Sequence, residues 1–169
     1  GRQVDLVLSG INHGSNTSIS VLYSGTMGAA IEAAIEGTPA IGFSLCDYNP
    51  KCNFSHGIPF IKKIVKEVLN KGLPKNTALN VNIPAISDEQ IKGIKICRQT
   101  QARWKEDFDL RVDPYGRDYY WMVGNLINDD KGQDHDEWAI KNNYISMVPC
   151  HFDLTSYEAI NHMNEDWNF

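Results

Sequence analysis

The stretch from Ser9 to Thr26 carries the residue types that chemistry needs, at a spacing that brings them to one place. Ser9-Gly10-Ile11-Asn12-His13-Gly14-Ser15-Asn16 follows a short apolar run, and Tyr23-Ser24-Gly25-Thr26 opens an alanine-rich segment. Open α/β sheets bind ligands beyond the carboxyl ends of their strands, beside helix N-termini. A strand ending at Ser9 and a helix opening near Ser24 converge there. Gly25 lets backbone approach a ligand closely. Amides at the start of the helix, with the helix dipole behind them, suit phosphate oxygens. The hydroxyls of Ser24 and Thr26 add hydrogen bonds, and Asn16 can bond a phosphate or a sugar. The amide oxygen of Asn12 is a hard donor of the kind Mg²⁺ or Mn²⁺ takes. The pattern is neither a Walker A loop nor a GxGxxG. On the residues alone a second reading is equally open: Asn12 and Asn16 hold turns through side-chain to backbone bonds, and Ser24 only caps a helix.

Other chemically competent residues carry less. His13 lies beside the site as a rim residue. Asp134-His135-Asp136-Glu137 has a metal-like composition but opens a helix, where acids complement the dipole, so a solvated cap is expected. Glu32 and Glu36 are one turn apart and are expected at the surface. His151 and Asp153 follow the last strand and are expected to order a turn. Cys46 and Cys52 flank a loop near His56, yet the four cysteines match no zinc spacing; Cys97 and Cys150 read as small core residues. There is no nucleophile elbow and no supported Ser–His–Asp arrangement.

The elements that must position these residues are legible from periodicity. Val4–Ser9 is a buried strand bounded by Gly10, and a loop is expected over 10–20. Met27–Glu36 is a helix with Ser24 as its N-cap, stopped by Gly37 and Pro39. Ala40–Leu45 is a second buried strand. Ile58–Leu69 places Ile61, Ile64, Val65, Val68 and Leu69 on one helical face. Leu79–Ile83 is a third strand, stopped by Pro84. This alternation predicts an α/β fold with a parallel sheet. Further on, Ile94–Arg98 is a strand, and Trp104–Val112 with Asp118–Val123 flank the turn Asp113-Pro114-Tyr115-Gly116 as an antiparallel hairpin. Its aromatic residues exceed what one hairpin buries on itself, which favours packing on another subunit or on the parent domain. A short helix over 134–141, a strand over 144–148 closed by Pro149, and a terminal helix over 156–164 complete the chain.

The 169 residues are 42% hydrophobic with a net charge of −5, which suits one globular domain rather than a disordered chain. The acidic balance argues against a nucleic-acid polymer as partner. No apolar run is long enough to span a bilayer. A reduced, cytoplasmic setting is expected from the cysteine usage.

The motif Ser9-Gly10-Ile11-Asn12-x-Gly14-x-Asn16 followed by Tyr23-Ser24-Gly25-Thr26 resembles the signature of the SurE (survival protein E) family. The resemblance continues through Leu79–Pro84, Lys92–Lys95, Asp113–Gly116, Tyr120-Trp121, Tyr144–Pro149 and Asp153–Thr155, in order along the chain. It implies a Rossmann-like three-layer sandwich with a mostly parallel sheet, plus a protruding antiparallel hairpin arm (about 98–125) and a C-terminal segment, all in one domain over 1–169. It implies a phosphatase acting on nucleoside 5′-monophosphates, and on 3′-monophosphates as a second class, with one divalent metal, Mg or Mn, per subunit. A homodimer or homotetramer through the arm and the C-terminal segment is implied too. Within the family signature Asn12 matches a metal ligand, and Asn16, Ser24, Gly25 and Thr26 match the phosphate site. The family's adjacent aspartates and a Ser-bearing loop are expected upstream of Gly1; Asp129-Asp130 fall in a late loop and are not that pair. These 169 residues alone are accordingly expected to be inactive. A non-catalytic nucleotide- or phosphate-binding or assembly module is the alternative.

Overall fold

The computed structural model of the chain describes residues 3–168. Among the described residues seven strands and four α-helices follow one another: β1 (Val7–His13), α1 (Gly25–Ile35), β2 (Ala40–Cys46), α2 (Ile58–Lys71), β3 (Thr77–Pro84), β4 (Gly93–Ile96), β5 (Arg103–Val112), β6 (Asp118–Ile127), α3 (Asp136–Lys141), β7 (Tyr144–His151) and α4 (Tyr157–Asp166). The main sheet has the order β1-β2-β3-β7-β4, and β5 with β6 forms a separate two-stranded sheet. Only the β3–β7 pairing in the main sheet is antiparallel. The α/β architecture with a mostly parallel sheet and a hairpin is therefore as expected.

Alternation along β2 builds the three layers. Ile41, Phe43 and Leu45 face Ile64 and Val68 of α2, in a core completed by Leu79, Val81, Ile83 and Ile145. Ala40 faces the other way, toward Met27, Ala30 and Ala34 of α1. Gly42 shares that face, and a methyl group added to it would lie 2.4 Å from the Met27 sulfur. The small residues of α1 thus let the helix sit close on a small-residue strip of the sheet. On α2, Ile64 and Val68 are buried and Ile61 and Val65 half-buried, but Leu69 is exposed at the edge of the expected face.

Several boundaries differ from expectation for physical reasons. β1 does not stop at Ser9. The register with β2 slips between Ser9 and Asn12, after which Asn12 and His13 pair with Ser44 and Leu45. The first part of the expected loop, through His13, is therefore bulged strand, and a 3-10 turn follows over Ser18–Tyr23. Pro149 does not close β7, which runs to His151. β4 ends at Ile96, opposite Met147, so from Val148 onward that side of β7 has no neighbouring strand and a missing N–H costs no ladder bond.

The hairpin extends to Ile127, and every residue of β5 is exposed. Trp104, Phe108, Tyr120 and Trp121 are among its exposed apolar side chains. No residue of α4 is buried either. Asp153, ahead of α4, accepts from the Thr155 amide (2.9 Å) and the Tyr157 hydroxyl (2.5 Å). The Thr155 and then the Tyr157 bonds bring its carboxyl down to about 2, so it orders the turn as expected. Among the described residues no helix is long and apolar enough to cross a membrane.

The root of the hairpin is held by Arg98, whose guanidinium forks onto Asp130 (2.6 and 2.9 Å) and reaches Asp134 at 3.0 Å. The Arg98 bonds, then the Gly132 amide, hold the Asp130 carboxyl well below the usual carboxylate range. The clamp adds stability at pH values above the unfolded carboxyl pKa of about 3.9, and that stability is lost as pH falls through the lower folded value. An NMR titration of the Asp130 side-chain carboxyl should therefore show a midpoint far below about 3.9, returning upward in Arg98→Ala. An ordinary midpoint in the native protein would refute the clamp.

Candidate functional site

The carboxyl end of β1 and the start of α1 meet as the sequence predicts. Ser24 is the N-cap of α1, its hydroxyl accepting from the Met27 amide at 3.0 Å. The amides of Gly25 and Thr26, the first two of the helix, make no backbone hydrogen bond. Helix starts expose such orphan donors by geometry, and they are the groups an anion takes up. Gly25 itself is unexplained by packing. Its φ lies outside the left-handed region, and a methyl group on it would meet no atom within 4 Å. What glycine provides at 25 is therefore space on the open side of the helix start.

Asn12 reaches the same point. Its amide oxygen accepts from the Thr26 hydroxyl at 3.3 Å, and its Nδ2 donates to the Gly14 carbonyl at 2.8 Å. The Nδ2 bond does the turn-holding work of the second reading, and it also orients the side chain so that Oδ1 faces the helix start. An amide oxygen has two lone pairs, and one is left for a cation. That is a single hard ligand, however. A divalent cation needs several oxygens, and among the described residues no group of three or more His, Cys, Asp or Glu stands together as a metal site. The donor set of the described residues does not by itself constitute a metal site. Asp129 and Asp130 lie elsewhere, and Asp130 is committed to Arg98. Burial first, then the Glu137 carboxylate, pushes the Cys46 thiol up to about 12, so it is protonated and a poor ligand at neutral pH.

Asn16 lies under the site rather than on its surface. It is buried, its backbone amide donates to Asn82 Oδ1 (2.7 Å), its carbonyl accepts from Asn80 Nδ2 (2.8 Å), and its own Nδ2 donates to Ser44 Oγ (2.8 Å). Asn82 Nδ2 in turn donates to Asn80 Oδ1 at 3.1 Å. These bonds pin the loop after β1 to the middle of the sheet. The signal for Asn80 and Asn82 was present: two asparagines two apart in an otherwise apolar strand put two amides on one buried face, where they must find partners.

Asp136 corrects the expectation of a solvated cap. It is fully buried, as is His135. Its carboxylate accepts from the amides of Ser18 (2.9 Å), Thr100 (3.0 Å) and Glu137 (2.8 Å), and from the Thr100 hydroxyl. The cap of α3 is His135, whose Nδ1 accepts from the Trp138 amide at 3.1 Å. Ser18, at φ +54, also accepts from the Ala102 amide with its hydroxyl (3.1 Å) and donates to the Ala102 carbonyl (2.7 Å). The 3-10 turn that leads into Ser24 is thereby tied to the root of the hairpin. A carboxylate beside exposed acids reads as solvated from sequence, because its donors are backbone amides from two distant segments. Glu32 and Glu36 lie at the surface, His151 approaches Thr77 Oγ1 at 3.3 Å, and His13 is exposed at the rim.

Comparison with known proteins identifies the family. The family described as survival protein SurE matches residues 1–106. A protein of Cytophaga hutchinsonii named 5′-nucleotidase SurE is 62% identical over 169 residues, all of this chain and 65% of its own length. One of the same name from Flavobacterium psychrophilum is 58% identical over 97% of this chain and 63% of its own length. The crystal structure of the SurE protein from Aquifex aeolicus superposes with a TM-score of 0.82 at 40% identity, covering 97% of this chain and 66% of that one. The chain thus spans just under two thirds of the length of the relatives it matches. With the Ser9–Thr26 motif folded into one site and this degree of identity along its length, the chain belongs to the SurE family.

Proposed function

We propose that the full-length protein is a metal-dependent phosphatase that hydrolyses nucleoside 5′-monophosphates, with 3′-monophosphates as a second substrate class. The observation that carries this reading is the meeting of Asn12 Oδ1 with Thr26 Oγ1, 3.3 Å apart, at a helix start whose first amides lack backbone partners. A phosphate there takes hydrogen bonds from the Gly25 and Thr26 amides. The Ser24 hydroxyl, which accepts from Met27, still has its proton to donate. These donors are fixed before substrate arrives, so they stabilise charge that builds on the phosphoryl oxygens at little reorganisation cost. Asn16 acts from beneath, holding the loop at a constant height over the sheet. A divalent cation, Mg or Mn, one per subunit, supplies charge neutralisation and an acidified water when bound; Asn12 gives it one ligand, and the others come from outside these 169 residues. The exposed hairpin and α4 support a homodimer or homotetramer, and the absence of zinc-type or disulfide cysteine pairing supports a cytoplasmic setting.

Phosphate release from a panel of nucleoside monophosphates by the full-length protein, with Mn²⁺ and then with chelator, tests the reading. Release abolished by chelator is the expected result; release from none, with any metal, leaves the non-catalytic binding or assembly module. In Asn12→Ala, metal affinity should fall at least about tenfold, by analogy with losses at the less direct second shell, while the melting temperature drops only modestly, through loss of the Nδ2 bond to Gly14. Unaltered metal affinity and turnover would remove Asn12 from the site.

A further inference from the structure

The loop after β2 sets an aromatic surface against the rim of the phosphate site. The ring of Tyr48 lies on the backbone of Gly14, so close that a methyl group there would be 2.4 Å from Cε1. Gly14 has φ +88, a conformation glycine adopts freely. Ser15 Oγ and Tyr48 Oη are 3.4 Å apart, and His13 Nε2 meets the Asn49 carbonyl at 2.7 Å, joining the two loops. One face of the Tyr48 ring is covered by Gly14, and the residue is nevertheless 72% exposed. Phe54, 40% exposed, tilts against His13 with ring centroids 6.2 Å apart. A tyrosine placed this way has no role in the core and presents an exposed ring beside Gly14, whose carbonyl Asn12 holds.

We propose that Tyr48, with His13 and Phe54 beside it, is the shelf on which the nucleobase of the substrate stacks, with purines favoured for their larger face. This rests on the nucleotidase reading, which requires a heterocycle to lie within one ribose of the phosphate. The shelf follows the carboxyl end of β2, and Asn12, which meets the helix start, lies at the carboxyl end of the adjacent parallel β1, the edge at which such folds bind ligands. Stacking tolerates any base and is insensitive to the sugar phosphate, so it acts on substrate affinity rather than on the chemical step. The competing place for the base is the cavity of about 500 Å³ flanking α1, which Ser24 also lines together with Leu22, Ile31 and Phe152. That cavity is also lined by Arg98, Gln99, His151 and Asp153, and neither Asn12 nor Thr26 borders it.

The test compares AMP with ribose 5-phosphate as substrates of the full-length protein. Tyr48→Ala should raise KM for AMP by roughly five- to a hundredfold, leave kcat in place, and leave both constants for ribose 5-phosphate unchanged. Tyr48→Phe should behave as wild type. Equal loss on both substrates would make Tyr48 a mere support of the Gly14 loop and overturn the proposal. So would an AMP-specific loss in Leu22→Ala with none in Tyr48→Ala, which places the base in the flanking cavity. If the protein releases phosphate from neither compound, the catalytic reading fails separately. Equilibrium binding of AMP and of inorganic phosphate to wild type and Tyr48→Ala then decides: AMP alone weakened supports the shelf, and equal AMP binding refutes it.

Discussion

Replacing Asp136 by alanine should lower the stability of the full-length protein by about 3–5 kcal/mol. The carboxylate is fully buried and accepts from three backbone amides and one hydroxyl. Alanine removes every acceptor at once, and each buried donor left unsatisfied costs about 1–3 kcal/mol. The amides of Ser18 and Thr100 belong to segments 82 residues apart in sequence, judging from the Ser18–Thr100 separation, so neither finds a replacement partner without moving the other. Asp136→Asn keeps one acceptor oxygen and should cost about half as much. Urea unfolding at neutral pH measures both. A loss under about 1 kcal/mol for Asp136→Ala would mean that the carboxylate is solvated after all. Because Ser18 begins the turn into Ser24, the alanine variant should also raise KM for nucleotide while it is still folded. Asp134→Ala, at the exposed neighbour, removes only a surface ion pair and should leave the unfolding midpoint nearly unchanged.

What the sequence disclosed and what it concealed divide along one physical line. Elements whose signal is local were readable: the Ala-rich helix with its Ser24 cap, the largely apolar, buried β2, the Asp113–Gly116 turn and the aromatic hairpin. So was the start of α1, because the Ser24 cap is a local signal that the chain itself announces. The supports were not readable. Asn16 looks like a ligand-binding loop residue until the sheet brings Ser44, Asn80 and Asn82 beneath it. Asp136 looks like a solvated acid until Ser18 and Thr100 arrive from elsewhere in the chain. The slip in β1 was hidden for the same reason: a bulge is a property of two strands, and only the pairing with Ser44 shows it. Tyr48 falls in an unremarkable polar loop, and its relation to Gly14 exists only in three dimensions.

Two glycines of the site motif should separate folding from binding when each becomes alanine. Gly10 has φ +106, and a methyl group on it would lie 2.4 Å from the Phe43 carbonyl oxygen and 2.9 Å from the Asn12 amide nitrogen. A left-handed conformation costs a β-carbon about 1–3 kcal/mol, and overpacking adds a similar amount, so Gly10→Ala should lose about 3–5 kcal/mol. Both clashing atoms are backbone, so relief requires β1 to part from β2 where Asn12 pairs with Ser44. Turnover should therefore fall with stability, because Asn12 leaves Thr26. Gly25→Ala meets neither obstacle: its φ is ordinary and its surroundings are open. That variant should melt within a few degrees of wild type, a shift of under about 0.5 kcal/mol, yet bind inorganic phosphate and nucleotide more weakly, since the methyl group occupies the approach to the helix start. Thermal melts and phosphate binding on the two full-length variants check the pair. Equal melting temperatures would mean that the Gly10 bulge is soft, and unchanged phosphate binding in Gly25→Ala would move the anion site away from α1.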